Sequence, residues 1–73
     1  MFPSRKQVEE IRQRFPAGTR IRLIQMNDDP NPIPSGTLGT VQYVDDAGQL
    51  GMLWDNGRSL SLIAGKDVFE IVR

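Results

Sequence analysis

A chain of 73 residues, 38% hydrophobic and 25% charged, is one small globular domain. It buries only about 60% of the surface its unfolded form exposes. It contains no cysteine and no histidine, which excludes a disulfide framework, thiolate or imidazole catalysis and the common zinc ligand sets. No apolar run reaches the roughly 18 to 20 residues of a membrane span, and no signal-like apolar region opens the chain. The expectation is a soluble, cytoplasmic protein with no membrane partner.

The formal net charge is zero but unevenly spread. Residues 1–22 set six basic side chains against Glu9 and Glu10, a balance of +4; residues 23–73 set three against seven acids, a balance of −4. Such asymmetry marks either a charged binding surface or two halves that attract each other.

The first element is a helix. Ser4-Arg5-Lys6-Gln7 fits a capping box, and Val8, Ile11 and Phe15 follow on one narrow stripe. Pro16-Ala17-Gly18 ends it, so the reading is one helix from Ser4 to Phe15. Its stripe is too narrow to hold a helix alone and must dock.

The hydrophobic period changes at Gly18. Thr19–Met26 alternates at first, then Ile24 and Met26 break the alternation, which predicts a strand with a late bulge. Asn27–Gly36 holds three of the five prolines and reads as a loop. Thr37–Asp45 is a second strand and Asp45-Asp46-Ala47-Gly48 a turn. Leu50, Met52 and Trp54 alternate in a third strand. Asp55-Asn56-Gly57 signals a hairpin, with Asn-Gly suited to a type I′ turn. Leu60 and Leu62 continue in a fourth strand, residues 64–67 turn, and Phe69 with Ile71 form a short fifth.

Five short strands after one helix predict a mainly β fold, a small five-stranded SH3-like barrel over residues 18–73 capped by a helix within residues 1–17. The expected core is Ile21, Leu23, Val41, Val44, Leu50, Met52, Trp54, Leu60, Leu62, Phe69 and Ile71, with the helix stripe closing one end.

The run Gly36-Thr37-Leu38-Gly39-Thr40-Val41 resembles the Gly-x-x-Gly-x-Val corner of SH3-like barrels, as in KOW modules and CAP-Gly domains. There, glycine lets the chain turn and pass close to a neighbouring strand. The CAP-Gly signature Gly-Lys-Asn-Asp-Gly is absent. A longer match is carried by Gly18-Thr19-Arg20 through Met26, the Asn-Asp-x-Pro loop, Gly39-Thr40-Val41, Val44-Asp45-Asp46 and Trp54-Asp55-Asn56-Gly57. In that order these runs resemble the bacterial family catalogued as domain of unknown function 4314. The resemblance implies an SH3-like barrel, often carried by phage or conjugative elements. It implies no activity, cofactor or catalytic residue. Leu53 departs from the pattern, standing where a polar residue is usual.

The residues argue against an enzyme. Carboxylates are the only general bases at neutral pH, all near loops or turns, and Ser59 and Ser61 have no histidine to activate them. Asp28-Asp29 with Asn31 suits an Asx turn beside proline better than a hard-metal site, and the same holds for Asp45-Asp46. No cofactor or metal is expected.

Two binding functions remain. In the first, the chain binds a protein or peptide partner through exposed apolar side chains, with Ile33, Leu38, Leu53 and Tyr43 as candidates. Leu53 has the strand parity opposite Leu50, Met52 and Trp54, which turns it outward unless the helix covers it. Trp54 is read as core, with a groove wall as the alternative. In the second, the chain binds nucleic acid weakly. Helix charges at i, i+4 (Arg5–Glu9, Lys6–Glu10, Glu10–Arg14) pair internally, leaving Arg12, Arg20 and Arg22 to meet phosphates and Tyr43 to stack. A sequence pI near 6.1 weighs against this second reading.

Overall fold

The computed structural model describes residues 4–27 and 30–72. One helix, α1 (Arg5–Arg14), precedes five strands: β1 (Arg20–Gln25), β2 (Leu38–Val44), β3 (Gln49–Trp54), β4 (Leu62–Ile63) and β5 (Val68–Ile71). The strands form one antiparallel sheet in the order β4-β3-β2-β1-β5. The sheet is open. Its edges β4 and β5 follow one another in the chain, and a single Ala64–Asp67 bridge lies in the turn between them.

Helix α1 begins as its sequence dictates. Ser4 Oγ accepts the Gln7 amide at 3.2 Å and Gln7 Oε1 accepts the Ser4 amide at 2.8 Å, satisfying two amides that a helix start leaves open. Phe15 caps the other end. Val8 and Phe15 are buried and Ile11 packs against the core, so the predicted stripe is the docked face. Arg12 fastens the helix to the end of β2, its Nε donating to the Val44 carbonyl at 3.1 Å. The Phe15 ring tilts against Phe69 of β5 with centroids 5.5 Å apart.

Both long seams carry an irregularity. The β1–β5 register shifts between Leu23 and Gln25, the late bulge that Ile24 foreshadowed. A second shift falls in β2 between Val41 and Tyr43. It turns Tyr43, rather than Gln42, opposite Gly51.

The core is Ile21, Leu23, Val41, Val44, Leu50, Met52, Trp54 and Leu62 from the sheet, with Phe15 from the helix end. Leu60 and Phe69 pack against it only partly buried, and Ile71, expected inside, is 37% exposed because β5 is an edge. Ile33 joins the core as well. It comes from the proline-rich loop, is 2% exposed and belongs to the core, which corrects its reading as an exposed contact. The loop is tied down for it: Gly36 donates to the Leu23 carbonyl, and Arg58 donates to the carbonyls of Asn31 and Pro32. Asp28 and Asp29, read as part of a turn, lie outside the described residues.

The Asn-Gly hairpin also differs from its expected form. Trp54 N–H meets the Arg58 carbonyl at 2.8 Å and Gly57 N–H the Trp54 carbonyl at 2.9 Å, with Gly57 at φ +89°. This is a three-residue loop with glycine in the left-handed position, not the two-residue type I′ turn. Asp55 supplies the third residue because its amide is already bonded to the Leu38 carbonyl of β2.

Candidate interaction surface

The sheet has a face turned from the core, and alternation along each strand decides what it carries. Arg20 and Arg22 come from β1, Leu38, Thr40 and Tyr43 from β2, Leu53 from β3 and Glu70 from β5. Register sets Arg20 beside Thr40 and Thr40 beside Leu53; it sets Glu70 beside Arg22 and Arg22 beside Leu38.

The charged part of this face is neutralised from within. Arg20 grips Asp55 with both terminal guanidinium nitrogens, at 2.9 and 2.7 Å, and also donates to Thr40 Oγ1. Those hydrogen bonds hold the Asp55 carboxyl below its ordinary pKa range and raise that of Arg20. Arg22 meets Glu70 at 2.9 Å. Arg12, on the helix, meets Asp46 at 2.9 Å and Glu9 at 2.7 Å, and its pKa rises through these bonds, Asp46 first. All three arginines proposed as phosphate contacts therefore already hold carboxylates. The i, i+4 helix pairs expected to leave them free do not form among the described residues; Glu9 pairs at i, i+3 with Arg12 instead. Spacing along the helix could not foresee Asp46, Asp55 and Glu70, which arrive from distant positions through the fold.

The apolar part of the face stays open. Tyr43 is 57% exposed and Leu53 46%. The Tyr43 ring covers Gly51, where any Cβ would run into it, so the ring is seated against the strand backbone with its other side toward solvent. Leu53 follows on the same face of β3, two residues along. Ile63 of β4, opposite Gln49, adds a third apolar side chain, 37% exposed. Ile63 is absent from the candidates read from the sequence, although its parity opposite Leu62 carries the signal. Leu38 is half-buried between the Arg20–Asp55 and Arg22–Glu70 pairs. Helix α1 sits at the Val44 end of the sheet and leaves Leu53 uncovered. Trp54, 1% exposed, is core rather than groove wall.

No described helix is long and apolar enough to cross a membrane. Neither a curated protein nor a solved structure matches the chain. A family model does, over residues 4–72, which takes in the helix, all five strands and both loops described above. The chain belongs to the family described as Domain of unknown function (DUF4314).

Proposed function

We propose that the chain is a non-enzymatic interaction module, an open variant of the SH3-like barrel, that binds a protein or peptide partner on the outer face of β2 and β3. The observation that carries this reading is the Tyr43 ring seated on Gly51 beside Leu53. A tyrosine with few rotors, already backed by the strand, offers contact area at little entropic cost. The surrounding ion pairs form a polar rim of the kind that borders interface cores. Weak nucleic-acid binding has less support, because Arg12, Arg20 and Arg22 would have to surrender carboxylates to reach phosphates.

Affinity capture from the native host with wild-type, Leu53→Lys and Tyr43→Ser chains tests the reading. One protein retained by the wild type and lost by both variants, with melting temperatures unchanged, is the expected result. Recovery of nucleic acid, or of the same protein by all three chains, refutes it.

A further inference from the structure

On the far side of β3 the sheet is left partly unzipped. The chain returning from the Trp54–Arg58 hairpin keeps one antiparallel register, with Arg58 opposite Trp54 and Leu62 opposite Leu50. Only the two ends are laced. In the middle, the Leu60 carbonyl accepts the Trp54 indole N–H at 2.8 Å in place of a β3 amide. The amides of Ser59 and Ser61 and their carbonyls have no hydrogen-bond partner among the described residues.

In an extended chain, successive backbone groups face opposite sides. Arg58, Leu60 and Leu62 face β3, so Ser59, Ser61 and Ile63 face away from it. Ile63 confirms the alternation. Its amide is taken by Asp67 Oδ2 at 2.9 Å, and its carbonyl accepts the amides of Lys66 and Asp67. That turn closes the edge at Ile63 and leaves two residues of it open.

Those two residues line a cleft of about 670 Å³, with Met26, Asn27, Arg58 and Lys66 around it. Arg58 spends its donors on two carbonyls and meets no carboxylate among the described residues. Asp67, also in the lining, has both carboxylate oxygens turned to the amides of Asn27 and Ile63.

We propose that the Ser59–Ser61 edge takes an extended, acidic segment of a partner protein as an added strand within this cleft. Donors and acceptors alternate along the edge, which matches a peptide backbone; a phosphate chain offers acceptors only. Charge selects the occupant further. A second copy of this chain would present its own residues 58–63, which hold a cation and no carboxylate, whereas an acidic segment answers Arg58. This site borders the outer face at Ile63, which lines both, but it includes neither Tyr43 nor Leu53 and stands without them.

The test is a titration of the ¹⁵N-labelled full chain with a blocked seven-residue peptide of alternating glutamate and valine. The expected result is that the Ser59 and Ser61 amide signals move most and that their hydrogen exchange slows about tenfold or more at saturation. N-methylation of the peptide backbone, or the lysine–valine counterpart, weakens binding about tenfold, and Arg58→Gln about fivefold. Ser61→Pro removes an amide that bonds nothing in the free chain, so it keeps the melting temperature and loses the peptide. Tyr43→Ser and Leu53→Lys leave this binding intact, so failure of the outer-face reading does not touch it. No movement at millimolar peptide, equal binding of the lysine peptide, or slow exchange of Ser59 and Ser61 in the free chain, as self-pairing would give, each overturns the proposal.

Discussion

The two edges of β3 make an instructive comparison. Toward β2 it is laced through five register positions, from Gly39–Trp54 to Val44–Leu50, with one bulge absorbed on the way. Toward β4 it is laced at two, Gln49–Ile63 and Leu50–Leu62, although the returning chain lies in register from the hairpin onward. The propensity of β3 itself does not separate the two sides, since one strand serves both. Side-chain chemistry does. On the β2 side Gly39 lets the strands close up under Trp54; a Cβ there would stand 2.6 Å from its ring. On the β4 side the same Trp54 needs an acceptor for its buried indole and takes the Leu60 carbonyl. One residue thus tightens one seam and loosens the other.

The largest test of this comparison is Trp54→Ala. It empties a nearly fully buried site shared by both seams and should cost about 3–5 kcal/mol in denaturant melts. A loss below about 1 kcal/mol would mean that the core closes without it. Asp67→Ala should come next. Its carboxylate joins the Asn27 amide, two residues past β1, to the Ile63 amide of β4 at 3.1 and 2.9 Å, and removal should cost about 2 kcal/mol. Hydrogen exchange should then speed up at Ile63 and Leu62 while β2 amides hold, which sharpens the contrast between seams.

A smaller effect concerns acid. Arg20 holds the Asp55 carboxyl below the ordinary aspartate range, so the pair stabilises the fold above that range and loses its contribution as pH falls through the folded value. Between neutral and acidic pH, the wild-type melting temperature should therefore fall further than that of Asp55→Asn; parallel curves would show the pair to be idle. The smallest effect should be Leu53→Lys, within about 0.5 kcal/mol of the wild type, because its side chain already stands in solvent. A loss of several kcal/mol would place Leu53 under cover and remove the outer-face site.

Elements whose signal is local were legible from the residues. The capping box set the helix start, the broken alternation at Ile24 set the bulge, and the parity of Leu50, Met52 and Trp54 set the core face. What escaped depends on chain segments meeting at a distance. Ile33 sits among prolines with no periodic neighbour, so nothing local says that it plugs the core. The partners of Arg12, Arg20 and Arg22 lie 34, 35 and 48 residues away, so each arginine looked unengaged. Leu60 had the parity of a strand residue, and only the indole beside it shows why β4 is two residues long. Tyr43 was picked out as aromatic, but its seat on Gly51 depends on a register shift that composition does not announce.

The Asp67 carboxylate has a further consequence, for the behaviour of many molecules together. A bare sheet edge is a template on which other chains can pair and grow into fibres. By occupying the outward amide of Ile63, Asp67 cuts the open stretch of the β4 side to Ser59–Ser61. Fibre-forming segments run to about six or seven residues; two outward positions ending at an acidic block fall well short. Concentrated in a cell, the protein keeps an edge long enough to be read by a short segment and too short to be copied.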